Sequence, residues 1–173
     1  AMVKNGCSLL VDLAFASIIS EKRRDNTIID FEKKINTALV ALKGIKNFDN
    51  ITFHVDIQQE TDFYFNQELI DSILQNLIHN TICFAKSKTN KLTPTTHINI
   101  ISSDDDISIL VSDNGIGIRE DDIDKVFDLY FKANSDNSEG TGLGLYIVKR
   151  IVEDFNGSVE VKSIINKGTT FRV

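Results

Sequence analysis

Five of the nine glycines in this chain fall between positions 115 and 144, in two groups with a long irregular stretch between them. Gly115 and Gly117 follow an acidic residue at the end of a strand-like run, and Gly140, Gly142 and Gly144 open a helical one. Glycine marks places where backbone turns tightly or comes close to something else. The intervening residues, 118–139, are charged and show no sustained hydrophobic period. A segment that long inside a compact domain is as a rule functional or mobile. These two glycine groups and the gap between them constrain the fold more than any bulk property of the 173 residues.

The remaining chain alternates helical and extended patterns. Residues 7–25 read as a helix with Leu9, Leu10, Leu13, Ala14, Ser17 and Ile18 on one face. Thr27, Ile28 and Ile29 read as extended, and Asp30 as the cap of a helix running to about Lys43, with Gly44 as its stop. Residues 51–57 and 63–65 read as strands. Residues 67–86 carry the strongest helical period, with Ile70, Ile73, Leu74, Leu77, Thr81, Phe84 and Ala85 on one arc. Strands follow at 97–101 and 107–111. A helix is expected from about Thr141 to Phe155, with Leu145, Val148, Ile151, Val152 and Phe155 inward and Gly157 ending it. Strands at 158–163 and 169–173 close the chain. Mixed helices and strands with antiparallel hairpins favour an α+β fold over a doubly wound sheet.

Composition removes several function classes. Lys plus Arg is 19 against 25 for Asp plus Glu, a net charge of −6. That balance does not suit sequence-independent nucleic-acid binding or an anionic membrane surface. Cys7 and Cys83 form no disulfide framework and no zinc spacing, which fits a reducing compartment. No apolar run approaches the roughly 18 residues of a membrane helix. The opening Ala1-Met2-Val3 reads as a cloning remnant, so the chain is expected to be a piece of a longer protein.

Three motifs carry chemistry. Asn76 and Asn80 lie four apart on the strongly periodic helix and point the same way, with Cys83 continuing their row. Taken alone, they read more readily as a pair of polar surface residues. Asp113-Asn114-Gly115-Ile116-Gly117 follows a strand, where a carboxylate can accept from an exocyclic amine and glycine backbone can pass a flat ring. Taken alone, it is equally an ordinary turn. Gly140-Thr141-Gly142-Leu143-Gly144-Leu145 opens a helix, where free N–H groups suit a phosphate. It is not a Rossmann loop, since no βαβ unit surrounds it, and not a Walker A loop, since no Gly-Lys-Ser/Thr follows.

In order and spacing these motifs resemble the GHKL superfamily, specifically the catalytic ATP-binding domain of bacterial sensor histidine kinases. The resemblance covers about 27–173. It includes an N-box (Asn76 to Asn80), a G1 box (Asp113 to Gly117), an F-box (Phe127 to Lys132), a G2 box (Gly140 to Leu145) and a last strand holding Thr169. It implies a two-layer α/β sandwich of the Bergerat type, with one mixed, mostly antiparallel sheet and helices on one face. It also implies ATP and Mg²⁺ as cofactors. Asn80 would hold the metal through its side-chain oxygen, and Asn76 would order a metal water or the γ-phosphate. Asp113 would accept the adenine amino hydrogen, with Gly115 and Gly117 packed close to the base. Gly140, Gly142 and Gly144, with Leu143 among them, would offer backbone N–H groups to phosphates. Thr141 would add a hydroxyl there or cap the helix. Thr169 would help hold an adenine-side water, Lys132 would supply a cation, and residues 118–139 would form the ATP lid. Phe127, Tyr130 and Phe131 would anchor that lid or pack locally.

The sequence departs from the pattern in places. Cys83 stands where many members carry Lys or Arg facing the phosphates, with Lys86 and Lys88 nearby on other faces. Lys132 replaces a common Arg, and Asn66 a common Asp. None of His54, His79 and His97 is followed by Glu or Asp, so all three read as structural or surface residues. The phospho-accepting histidine would lie on an upstream helical hairpin of the same protein, of which residues 1–26 would be the tail or linker. A downstream response regulator and a cytoplasmic location, with the parent protein membrane-anchored or not, are implied in the same way. The alternatives are an anti-sigma-type serine kinase, a GHKL ATPase of the gyrase, MutL or HSP90 kind, and a non-catalytic nucleotide-binding module. The ATPases place a glutamate base where this chain has Asn76.

Overall fold

The computed structural model describes residues 17, 19, 21–22, 25–85, 92–103, 106–132 and 141–173. Most of the helix expected over 7–25 lies outside the described residues, as do Lys86, Lys88, residues 133–139 of the expected lid, and Gly140. The elements run β1 (Asn26–Ile28), α1 (Phe31–Leu42), a 3-10 turn (Phe48–Asn50), β2 (Thr52–Gln59), β3 (Tyr64–Asn66) and α2 (Gln67–Cys83). They continue with β4 (Thr95–Ser102), β5 (Ile107–Asp113), the single turn α3 (Glu120–Ile123), α4 (Gly144–Asp154), β6 (Glu160–Ile164) and β7 (Gly168–Arg172).

Five strands form one sheet in the order β2-β4-β5-β7-β6, and β1 pairs with β3 in a separate ribbon. β2 runs parallel to β4, and every other neighbouring pair is antiparallel. The sheet is therefore mixed and mostly antiparallel, as the resemblance implies. Side chains alternate across it with period two. In β4, Thr96, Ile98, Ile100 and Ser102 are buried while His97 and Ile101 are exposed. The apolar face carries Ile98, Ile100, Ile109, Val111 and Phe171, and the helices cover it. On the opposite face His54 and His97, in register on β2 and β4, stack with ring centroids 4.5 Å apart.

α2 is the central helix. It packs against α1 on one flank and α4 on the other. It buries Leu69, Ile70, Ile73, Leu74, Leu77, Ile78, Thr81 and Ile82, a wider band than the single arc read from the sequence, because two helices cover it. Phe84 and Ala85 lie beyond its end. Its start is fixed by Asn66, which is 5% exposed. The Asn66 Oδ1 accepts the N–H groups of Glu68 and Leu69 at 3.0 and 3.1 Å, and its Nδ2 donates to the Lys22 carbonyl at 3.1 Å. Lys34 Nζ ties α1 to α2 through Asp71 Oδ2 at 2.8 Å. α1 starts as its sequence indicates, with Asp30 Oδ1 accepting the Lys33 N–H at 3.0 Å.

Both ends of α4 differ from the sequence reading. The helix begins at Gly144, and its N-cap residue is Leu143, with no side-chain capping bond, so Thr141 is not the cap. At the other end Asn156, with φ 60°, takes the left-handed position rather than Gly157. Gly157 N–H donates to the Val152 carbonyl at 2.9 Å and Asn156 N–H to that of Glu153 at 3.0 Å, a Schellman closure. Asparagine tolerates that backbone because its short polar side chain strains it least after glycine. Among the described residues no helix is long and apolar enough to cross a membrane.

Candidate functional site

A cleft of about 1050 Å³, its solvent-facing mouth included, runs between α2, the ends of β5 and β7, and the approach to α4. Its walls bring together Asn76, Asn80, Asp113, Gly117, Lys132, Thr141, Gly142, Gly144 and Thr169. Gly115 and Leu143 do not line it. His79, Phe84, Ile118, Val126, Leu145 and Phe171 do, and were not assigned to a site from the sequence. His79 lies inside the N-box, Leu145 ends the G2 box, and Ile118 and Val126 fall in the expected lid, while Phe84 and Phe171 only neighbour the boxes.

α2 forms one wall. Asn76 Nδ2 donates to the Ser72 carbonyl at 2.8 Å. The Asn76 Oδ1 stands so close to the start of α4 that a β-carbon on Gly144 would lie 2.6 Å from it. A side chain there would have to push the Asn76 amide aside. One turn on, Asn80 Nδ2 is buried and has no hydrogen-bond partner among the described residues. A buried amide donor without a partner costs about 1–3 kcal/mol; the Asn80 Nδ2 can donate to a bound ligand, whereas its Oδ1 is the atom able to hold a cation. The described residues hold no group of three or more His, Cys, Asp or Glu able to hold a metal ion. A cation here would therefore rest on amide oxygen, water and ligand oxygens. That donor set fits Mg²⁺, which keeps its waters and takes few protein ligands, and not a transition metal. Farther along the same wall, Cys83 Sγ lies 3.6 and 3.5 Å from the two ring nitrogens of His79. Burial holds the His79 imidazole below its ordinary pKa, favouring the neutral ring.

At one end of the cleft the sheet supplies acceptors. Asp113 is the last residue of β5, and its Oδ1 accepts the Gly115 N–H at 2.7 Å. The next side chain, Asn114, accepts from Thr95 N–H at 2.9 Å and donates to the Thr93 carbonyl at 3.0 Å. Gly115 packs on the backbone of Phe84, whose carbonyl accepts the Ile116 N–H at 3.1 Å, so it serves the junction with α2 and does not border the cleft. Gly117 does border it. Its φ is 72°, and a β-carbon there would lie 2.2 Å from the Ile164 carbonyl oxygen. Thr169 is 7% exposed, with its hydroxyl 2.8 Å from Ser163 Oγ.

The other end supplies donors. The N-cap residue of α4, Leu143, makes no side-chain capping bond, and an anion is favoured by the dipole of a helix start. Thr141 and Gly142 lead into it. The Gly142 carbonyl accepts the N–H of Tyr130 at 3.0 Å, and Tyr130 holds a left-handed φ of 63°, which is uncommon for a bulky residue. Phe131 lines the cleft, Phe127 packs edge-on against Phe171 with centroids 6.3 Å apart, and Tyr130 is 52% exposed. Lys132 is the only Lys or Arg among the described residues that lines the cleft. Between the two ends the lining is apolar, from Ile118, Val126, Leu145 and Phe171. The arrangement suits a flat ring bearing an amino group at one end and a polyanion at the other.

Residues 65–173 match the family described as Histidine kinase-, DNA gyrase B-, and HSP90-like ATPase. The chain is similar to the probable C4-dicarboxylate sensor kinase of Halalkalibacterium halodurans, 31% identical over 162 residues that make up 90% of this chain and 30% of that protein. It is also similar to the sensor protein SrrB of Staphylococcus aureus, 35% identical over 112 residues, 62% of this chain and 18% of that one. The chain thus spans less than a third of the length of these curated relatives. In fold it is similar to the Acinetobacter baumannii histidine kinase AdeS, with a TM-score of 0.68 at 22% identity over 98% of this chain and 77% of that chain. The catalytic domain of histidine kinase ThkA gives a TM-score of 0.69 at 23% identity over 86% and 95% of the two chains.

Proposed function

Because this chain belongs to the Histidine kinase-, DNA gyrase B-, and HSP90-like ATPase family, we propose that it is the catalytic domain of a sensor histidine kinase. It binds Mg²⁺-ATP and transfers the γ-phosphoryl group to a histidine on a separate helical domain of the same protein. The observation that carries this reading is the meeting, in one cleft, of Asn76 and Asn80 with Asp113 and the uncapped start of α4.

Each residue has a job that its position supports. Asp113 accepts a hydrogen from the adenine amino group, and Thr169 helps hold a water on the adenine side. Gly117 lets the loop pass the ring. Gly142, Gly144 and the first turn of α4, together with Gly140 and Thr141, receive the phosphates. Lys132 adds positive charge where Cys83 adds none. Asn80 would hold Mg²⁺ through its amide oxygen, and Asn76 would order a metal-bound water or the γ-phosphate. Mg²⁺, when bound, offsets charge on the β- and γ-phosphates. Phosphoryl transfer of this kind rests on positioning and charge stabilisation, which such a site supplies without a protein nucleophile.

Residues 118–139 serve as the lid, residues 27–173 as the catalytic unit, and residues 1–26 as the tail of the dimerisation helix or a linker. His54 and His97 sit on the far face of the sheet and His79 in the cleft wall, so the receiving histidine is assigned elsewhere. A response regulator then takes the phosphoryl group, in the cytoplasm. The hydrolytic reading has less support, because the Asn76 amide already donates to Ser72 and an amide cannot take a proton from water.

Calorimetric titration of the chain with ATP, once in Mg²⁺ and once in EDTA, tests the proposal. Mg²⁺ should tighten binding about tenfold, or about 1.4 kcal/mol. No ATP binding, or equal affinity in both buffers, would remove the kinase reading.

A further inference from the structure

We propose that Ser163 is a specificity-determining positioning residue: by fixing the proton of the Thr169 hydroxyl, it makes that wall of the cleft accept hydrogen bonds only, and so favours 6-amino over 6-oxo purines. The proposal rests on the nucleotide-binding reading above and assigns a role to a side chain outside the sequence boxes.

The argument begins with register. Ser163 on β6 stands opposite Thr169 on β7, and Ser112 on β5 stands opposite Thr170. Continuing the β5–β7 register by one residue brings Thr169 beside Asp113. Ser163, Thr169 and Asp113 thus form one row across three strands. With period two they share the face of Val111 and Phe171, the face turned to the helices and the cleft.

Proton counting fixes the rest. A serine hydroxyl has one hydrogen and two lone pairs. Ser163 Oγ accepts the Ile118 N–H at 2.8 Å. It lies 2.9 Å from the Gly168 carbonyl, which can only accept, so the serine proton goes there. The third contact, 2.8 Å to Thr169 Oγ1, must then use the threonine proton. With that assignment all three contacts are made and the serine oxygen is saturated. If Ser163 donated to Thr169 instead, Gly168 would lose this partner. Thr169 therefore turns lone pairs, not a hydrogen, toward the cleft. Asp113 beside it is a carboxylate, also an acceptor. A wall with two acceptors fits an amino group or a water that donates. It opposes a ring carbonyl, which would place acceptor against acceptor. A site built with fixed polar groups rejects a mismatched analogue far more strongly than an apolar pocket does.

The test compares ATP with inosine triphosphate, which differs in carrying a 6-oxo group and an N1–H. Dissociation constants for both are measured on the chain and on its Ser163→Ala, Ser163→Thr, Thr169→Val and doubly substituted forms. Ser163→Ala frees the Thr169 proton, so the ratio of the two affinities should fall about tenfold, with inosine triphosphate gaining. Ser163→Thr, which keeps the hydroxyl, should restore the ratio. Adding Ser163→Ala to Thr169→Val should change the ratio no further, since no hydroxyl remains to reorient. An equal loss for both nucleotides in Ser163→Ala, or an unchanged ratio, would overturn the proposal and reduce Ser163 to a structural contact. Should Ser163→Ala fail to fold, Thr169→Val decides: a discrimination unaffected by loss of that hydroxyl refutes the role. An unmodified chain that binds neither nucleotide would overturn the ATP-binding reading itself, a result distinct from these.

Discussion

At the end of the cleft proposed to take the base, Asp113, Asn114 and Ser163 are tied into the sheet by hydrogen bonds of 2.7 to 3.0 Å to neighbouring backbone. At the phosphate end, Asn80 Nδ2 has no partner among the described residues and α4 begins without a side-chain cap. The first end is complete before any ligand arrives, and its geometry is inherited from strand register. The second is completed by what binds. A rigid base end suits the choice of one ring over another, because a misplaced acceptor cannot move away. An incomplete phosphate end suits a group that must be held for one step and then released in altered form.

The largest effect should come from Gly117→Ala. The φ of 72° and a β-carbon 2.2 Å from the Ile164 carbonyl oxygen leave the loop nowhere to go. Strain of this kind costs about 3 kcal/mol, or a fall in Tm of about 10 °C for a domain of this size, readable by thermal melting. A drop of only a degree or two would show that the base end is not the fixed template described above.

Gly144→Ala should behave in the opposite way. Its β-carbon meets the tip of Asn76, which can rotate, while alanine improves the helix by up to about 1 kcal/mol. Tm should stay within about 3 °C, whereas displacing Asn76 should weaken Mg²⁺-ATP binding about tenfold in calorimetry. Normal binding by that variant would break the contrast between the two ends.

The smallest effect is expected at Glu68, away from the cleft. Its hydrogen bond to Lys22, with the charge of that lysine, holds the carboxyl below its ordinary value of 4.5. A carboxylate whose folded pKa is lowered adds stability that is present above the unfolded value and is lost as pH falls through the folded one. Glu68→Gln should therefore flatten the fall of Tm with pH below about 4.5, and leave both Tm at pH 7 and ATP affinity nearly unchanged, since exposed pairs contribute little. A change in ATP affinity would mean that the start of α2 communicates with its cleft wall.

What the sequence made legible was local. The period of α2 and the Asp30 cap each depend on residues within a few positions of one another, and each appears where it was read. What it hid depended on contacts between distant segments. Gly115 looked like a base-contacting glycine, but the carbonyl of Phe84, on another element, claims that space. Thr141 was read as adding a hydroxyl or capping the helix, and α4 starts three residues later, with Leu143 as its N-cap. Gly157 looked like the left-handed residue, yet Asn156 takes that conformation, with Gly157 closing on Val152. His79 seemed structural or superficial and instead borders the cleft. Ser163 gave no signal, because its importance lies in being opposite Thr169 on another strand.

The one parallel pairing in the sheet has a consequence for assembly. β4–β5 and β6–β7 are antiparallel pairs of strands only a few residues apart in the chain. β2 meets β4 with Thr52 opposite Thr95, and β3 and all of α2 lie between them in the chain. Closing a loop of that length costs entropy before any contact rewards it, and non-local pairings of this kind slow folding. The β5–β7 pairing, with Ser112 opposite Thr170, joins the two antiparallel pairs across a still longer stretch of chain. The cleft takes residues from β5 and β7 and none from β2, so the proposed site depends on the longest-range pairing in the sheet and not on its border strand.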